Sequence, residues 1–210
     1  MKNLAAENTN TSLLTLNELL EAVCGSVVGN FDSSLFSFKS VVTDSRSVVP
    51  GSLFVPLIGE FQDGHKYIPQ ALEKGASVVF VARCAFEKSS EEFKKLAENN
   101  PKTAFILVEN TLCALQKAAG RYVEKFPDLI RVSVTGSSGK TTTKEIAASV
   151  LSEKYNVVCN KGNLNSETGL PLSCFEIRGE NQVALLEMGM NHFGEIEHLA
   201  DIGRPDVAVI

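Results

Sequence analysis

The stretch from Ile130 to Glu145, IRVSVTGSSGKTTTKE, leaves this chain few choices of fold. A run rich in β-branched residues, Ile130 to Val134, stops at a Gly- and Ser-rich turn. Gly139-Lys140-Thr141 then opens a helix expected to reach about Ser152. A strand, a tight loop and a helix start, in that order, aim the N–H groups of the loop and of the helix's first turn at one point. That point suits the phosphates of a nucleotide. Lys140 adds a positive charge toward the β- and γ-phosphates, and the Thr141 hydroxyl is placed to ligate Mg²⁺. The general pattern for such loops, G-x-x-x-x-G-K-[ST], needs a glycine where Val134 stands. The sequence has the shorter Gly136-x-x-Gly139-Lys140-Thr141. The competing reading is a strand-to-helix turn whose glycines serve only to reach positive φ.

The rest of the chain supplies the strands and helices such a loop needs. Met1 to Ser12 is polar and expected to fray. Thr15-Leu-Asn-Glu18 has the form of a capping box and starts a helix with Leu16, Leu19, Leu20 and Val23 on one face, ending at Gly25. Strands are expected at Phe36–Val42, Leu53–Ile58, Ser77–Ala82 and Ala104–Val108, with helices at Tyr67–Lys74 and Ser89–Asn99. Thr111 to Phe126 has helical spacing. A domain boundary is placed just before it, giving domains 1–109 and 110–210. Beyond the phosphate loop the pattern predicts strands at Asn156–Cys159, Gln182–Leu186 and Asp206–Ile210, and helices at Leu170–Phe175 and Gly194–Ala200. The fold class is therefore α/β: a small N-terminal mixed α/β domain, then an incomplete, mostly parallel phosphate-loop domain. The last strand, DVAVI, suits the middle of a parallel sheet, and stopping there suggests a piece of a larger protein.

Composition removes several function classes. With 210 residues, 44% hydrophobic and 21% charged, the chain can build one large or two small cores and is not of disordered type. A formal charge of −5 and the lack of a basic run argue against general nucleic-acid binding. No apolar stretch approaches the length of a membrane span, so no membrane insertion is expected. The N-terminus lacks an apolar signal core, so the cytoplasm is the expected compartment. The five cysteines are widely spaced without a C-x-x-C and are read as reduced core thiols.

Glu187 is the second chemical feature. It ends the apolar run VALLE, where an open α/β sheet faces its ligand crevice, and it suits Mg²⁺ coordination beside Thr141 and phosphate oxygens. A solvated strand-end carboxylate is the alternative. Asn191 and His192, just after it, are placed to face the same crevice, His192 as a loop hydrogen-bonder rather than a base. Asp44-Ser45-Arg46 offers an acid, a hydroxyl and a guanidinium fork that suits a diphosphate or a structural Asp–Arg pair equally. Asp63-Gly64-His65 has the form of a plain turn. Asn160 to Gly169, rich in amides and hydroxyls, suits either a substrate-facing or a solvated loop.

Taken together, these stretches resemble the Mur ligase family. The resemblance rests on TDSRSVVPGSLFVPLIGE at 43–60, DGHKYI at 63–68, KGASVV at 74–79, VTGSSGKTTTKE at 134–145, GNLNSETGLPLS at 162–173 and EMGMNHFGEI at 187–196. The short phosphate loop is this family's own form. The resemblance implies an ATP-dependent, Mg²⁺-using ligase of peptidoglycan precursor synthesis, working through an acyl phosphate. The GNLN…GLPLS and EMGMNHFGEI stretches favour the type that joins D-alanyl-D-alanine to UDP-N-acetylmuramoyl-tripeptide over the diaminopimelate- or lysine-adding types. It further implies a first domain for the UDP precursor and a second for ATP, and a monomer is expected. Gly136, Ser137, Ser138, Gly139, Lys140, Thr141 and Thr142 would then bind ATP, with Lys140 and Glu187 catalytic and Thr141 and Glu187 on the metal. Ser45, Arg46 and His65 would contact the UDP moiety, and Asn163, Asn165, Thr168 and Asn191 face nucleotide or substrate. Later family segments, including a closing third domain, have no counterpart before Ile210, so a non-catalytic precursor- or nucleotide-binding module is the competing expectation. A phosphate-loop kinase or GTPase switch would need base-reading or switch motifs that the sequence does not show.

Overall fold

Strands buried on both faces are written as continuous apolar runs, and two of the longest such runs, VVFVA and AFILV, lie side by side. The computed structural model describes residues 12–210, which divide into two units, one ending at Thr111 and the other running from Leu112 to Ile210. The first unit opens with helix α1 (Leu16–Val23), whose N-terminus carries both halves of the Thr15–Glu18 capping box. Strands β1 (Ser26–Val27), β2 (Ser40–Val42) and β3 (Ser52–Phe54) follow. Then come α2 (Ile68–Glu73), β4 (Val78–Ala82), α3 (Arg83–Lys88), α4 (Ser90–Asn99) and β5 (Ala104–Val108). The sheet order is β1-β5-β4-β3-β2, parallel except for the antiparallel β1–β5 pair. Phe54, Phe80 and Phe105 are fully buried, each contributing roughly 2–3 kcal/mol of transfer free energy.

The second unit holds most of α5 (Thr111–Val123), then β6 (Ile130–Val134), α6 (Lys140–Ser152) and β7 (Val157–Cys159). It closes with α7 (Gly169–Cys174), β8 (Val183–Glu187), α8 (Glu195–Gly203) and β9 (Val207–Val209). Its four strands are all parallel, in the order β7-β8-β6-β9. Leu115, Ala119 and Val123 of α5, Leu170 and Cys174 of α7, and Leu199 and Ile202 of α8 are buried in it. Register places Val134, the residue before the phosphate loop, opposite Glu187. That pairing puts the loop and the carboxylate at one sheet edge.

Several expectations need correction. The strand expected over Phe36–Val42 is only Ser40–Val42, because residues 33–35 form a 3-10 turn that Phe36 closes. The strand expected to reach Ile58 stops at Phe54, two residues before Pro56, which has no N–H to give a ladder. Helix α3, under two turns long, is too short for its period to be legible, and the two-residue β1 is equally short. Helix α1 ends on Cys24 in the left-handed region (φ 51°), one residue before the glycine expected to stop it. Gly25 is needed for a different reason: a Cβ there would lie 2.9 Å from Leu107 O. The N-terminal stretch expected to fray lies outside the described residues except for Ser12, which is tied down, its Oγ accepting from Phe38 N at 3.0 Å. The cysteines form no disulfide, but Cys24, Cys84 and Cys113 are exposed. Of the five only Cys174 is a core thiol, and burial pushes its pKa up to about 12.

Candidate nucleotide site at the carboxyl edge of the parallel sheet

The loop after β6 turns at Gly136 (φ 139°) and Gly139 (φ 77°), two conformations that favour glycine. Gly139 caps α6 and no side chain bonds to the helix start. The N–H groups of Lys140, Thr141 and Thr142 therefore precede the first helical bond, which Thr143 N makes to Gly139 O at 2.8 Å. Ser137 and Ser138 are exposed on the loop. Lys140 folds back, its Nζ donating to Gly136 O at 2.8 Å. A phosphate entering the loop offers that ammonium a charged acceptor in place of a neutral carbonyl.

Glu187 is 1% exposed, with partners drawn from separate elements. Its Oε1 accepts from Thr141 Oγ1 at 3.1 Å and from Asn165 Nδ2 at 2.8 Å. Its Oε2 is buried and accepts no hydrogen bond. A buried carboxylate oxygen left without a donor is costly; the Lys144 ammonium, 3.7 Å away, offsets part of that by charge and leaves its lone pairs open to a cation. The oxygens of Thr141 and Glu187 are hard donors of the kind Mg²⁺ takes, and Mg²⁺ needs only one or two protein oxygens when phosphate and water complete its shell. Among the described residues no three His, Cys, Asp or Glu side chains gather as a metal cluster. These residues fit the ion that the family implies.

Two residues that sequence reasoning passed over complete the arrangement. Lys144, fully buried, donates to Asn160 O at 2.9 Å and lies 3.1 Å from Glu145 Oε1 and 3.7 Å from Glu187 Oε2. Asn160, just beyond β7, clamps the end of β8: Nδ2 donates to Glu187 O at 3.0 Å and to Leu164 O at 2.9 Å, while Oδ1 accepts from Glu187 N at 2.9 Å. Lys144 stands three residues after Thr141 and four after Lys140, on one helix face, but that spacing carries no sign of burial.

The remaining expected residues are not all gathered here. Asn165 belongs to the cluster through Glu187, and Gly189 N donates to its carbonyl at 2.8 Å. Asn163 is exposed on the same loop and Thr168 precedes α7 without capping it. Asn191 is exposed, its N–H donating to Glu195 Oε2 at 2.6 Å. That bond and one from the His192 backbone hold the Glu195 carboxyl below its ordinary pKa.

Ser45, Arg46 and His65 lie in the other unit and form their own arrangement. Arg46 grips Asp44 through Nε (3.0 Å to each oxygen) and Nη2 (2.7 Å to Oδ2), and this pair draws the Asp44 pKa down to about 2. Ser45 is buried and donates to Gln70 Oε1 at 2.5 Å, and Lys74 Nζ donates to Arg46 O at 2.8 Å. His65 is buried with both ring nitrogens engaged: Nε2 accepts from Ala82 N at 2.9 Å, which leaves Nδ1 to donate to Asp63. The protein itself thus occupies the polar atoms of His65, while the Arg46 side chain stays largely exposed.

A buried metal-suited carboxylate beside a glycine loop at the carboxyl edge of a parallel sheet defines the class: an α/β unit built to receive phosphate. Residues 134–210 match the Mur ligase middle domain, and residues 37–123 match the Mur ligase family, catalytic domain. The chain belongs to the Mur ligase family. It is 44% identical over 198 residues to UDP-N-acetylmuramoyl-tripeptide–D-alanyl-D-alanine ligase of Treponema pallidum, a match covering 94% of this chain and 42% of that protein. The crystal structure of MurF ligase from Thermotoga maritima in complex with ADP is 36% identical, with a TM-score of 0.67 over 80% of this chain and 36% of that one. The UDP-N-acetylmuramoylalanyl-D-glutamyl-2,6-diaminopimelate–D-alanyl-D-alanyl ligase of Acinetobacter baumannii is 31% identical, with a TM-score of 0.78 over 97% of this chain and 42% of that one. The chain spans about two fifths of the length of these relatives. Among the described residues no helix is long and apolar enough to cross a membrane.

Proposed function

We propose that the chain carries the precursor-binding and phosphate-gripping parts of a cytoplasmic ATP-dependent ligase that adds D-alanyl-D-alanine to UDP-N-acetylmuramoyl-tripeptide. The observation that carries this reading is the meeting of Thr141 and Glu187 over the phosphate loop, with one carboxylate oxygen buried and without a donor. In the reaction, the carboxylate of the tripeptide attacks the γ-phosphorus, the bond to the β–γ bridging oxygen breaks, and ADP leaves. The amine of D-alanyl-D-alanine then attacks the acyl carbon and phosphate departs. The residues at the loop do no covalent chemistry; they align and neutralise. Gly136 to Thr142 cradle the phosphates with backbone N–H groups, and Lys140 leaves Gly136 O to meet the negative charge. Thr141 and Glu187 would hold Mg²⁺, which supplies further charge neutralisation when bound. Asn163, Asn165, Thr168 and Asn191 border the nucleotide or peptide. Ser45 and Arg46 hold the UDP moiety, with His65 supporting their unit from within.

Titration of ADP into this chain by calorimetry tests the grip. Lys140→Ala is expected to weaken binding at least tenfold, and unchanged affinity would count against the reading. The competing reading is a module that holds UDP precursor or nucleotide without turnover. Binding of UDP-N-acetylmuramoyl-tripeptide with no ADP release in the presence of ATP and D-alanyl-D-alanine supports the module, and turnover by the chain refutes it.

A further inference from the structure

Helix α6 buries one residue, and that residue is Lys144. On the same helix Ile146 and Val150 are 62% and 67% exposed. An amphipathic helix places its apolar residues inward; here the inward position goes to an ammonium group. Taking an ammonium out of water is costly unless charge and hydrogen bonds compensate, and an apolar side chain of similar length would fill the space without that cost. The compensation is specific. Asn160 O accepts one hydrogen bond from Lys144, and the carboxylates of Glu145 and Glu187 flank it.

The distance to Glu187 carries the argument. At 3.7 Å, Lys144 Nζ is too far from Oε2 for a hydrogen bond. It is close enough to attract the carboxylate by charge. Thr141 and Asn165 hold Oε1, so the carboxylate is fixed at one oxygen by hydrogen bonds and at the other by charge alone. The lone pairs of Oε2 stay free. By donating to Asn160 O, Lys144 also braces the amide that clamps the Glu187 backbone from both sides.

We infer that Lys144 is a positioning residue: it holds the Glu187 carboxylate in place for a cation without consuming the oxygen the cation would use. This rests on the reading of Glu187 as a metal-binding residue. The test is calorimetric titration of ADP into the chain with Mg²⁺ and, separately, with EDTA. Lys144→Met is expected to reduce the Mg²⁺-dependent gain in affinity about tenfold while leaving metal-free ADP binding within about twofold. Lys144→Arg, which keeps the charge, is expected to recover part of the gain. Equal losses with and without Mg²⁺ would mean a merely structural lysine and overturn the inference, as would an unchanged Mg²⁺ gain. If the wild-type chain gains nothing from Mg²⁺, the metal reading of Glu187 fails, and this inference with it. Should Lys144→Met fold poorly, a thermal double-mutant cycle with Glu187→Gln decides. Coupling predicts that Glu187→Gln is less harmful in the Lys144→Met background than in the wild type, and additive shifts in Tm would overturn the inference.

Discussion

Asp44 in the first unit and Glu187 in the second are both carboxylates beside residues proposed to meet a phosphate-bearing ligand, and they are built in opposite ways. Asp44 is satisfied by Arg46, two residues on, through both its oxygens, on an exposed turn. Glu187 is buried at the end of a strand, and its side-chain partners stand 22, 43 and 46 residues away. The local pair closes on itself and leaves the outer guanidinium exposed. The distant set leaves one carboxylate oxygen without a donor. Water supports the first arrangement, so it costs little to break. Packing alone supports the second, so each partner matters more.

That contrast is broken most sharply at Asn160. Asn160→Ala removes three hydrogen bonds to backbone, two of them buried, and leaves Glu187 N and O unpaired. A loss of about 2–3 kcal/mol is expected in urea denaturation; a loss no larger than that of a surface substitution would show that the clamp is slack. Next comes Gly169→Ala. Its Cβ would lie 2.5 Å from Leu164 Cα, backbone that cannot swing aside, so the loop carrying Asn165 must shift. About 1–2 kcal/mol of destabilisation is expected, with the Mg²⁺-dependent gain in ADP binding reduced; the wild-type gain in a destabilised variant would separate loop position from metal binding.

The smallest effect is expected at Asp44. The Arg46 hydrogen bonds hold its pKa near 2, below the ordinary 3.8. A depressed folded-state pKa stabilises above the ordinary value, and the contribution fades as pH falls from there through about 2. Carboxyl-carbon NMR titration should place Asp44 near 2 in the wild type and closer to 3.8 in Arg46→Ala, with a small loss of Tm near neutral pH that disappears as pH falls toward 2. A value already near 3.8 in the wild type would mean that the fork is not formed in solution.

Elements with strong local signals were legible in the sequence: the capping box at Thr15–Glu18, the runs of β4 and β5, and the strand, glycine turn and helix around Gly136. Thr141 and Glu187 were paired from type and topology, and they meet at 3.1 Å. Lys144 and Asn160 were passed over. In KTTTKE a second lysine looks like a solvated charge, and an asparagine opening a polar loop looks like a turn former. Nothing local marks either one as buried. For His65 the residues themselves read as a plain turn and only the family resemblance implied a UDP contact; in the structure the Ala82 N–H and the Asp63 carboxylate engage both ring nitrogens.

The sequence by itself determined the α/β class, the glycine turn between strand and helix, and the placement of Glu187 at the end of an apolar strand. These follow from side-chain period, glycine conformation and residue chemistry within a few positions. Only the tertiary structure decided which groups reach Glu187, which of its oxygens stays free, and why a lysine lies on the buried face of α6. Those outcomes depend on strand register, which brings β6, β7 and β8 level at one edge, and on burial, which makes every unpaired polar atom expensive.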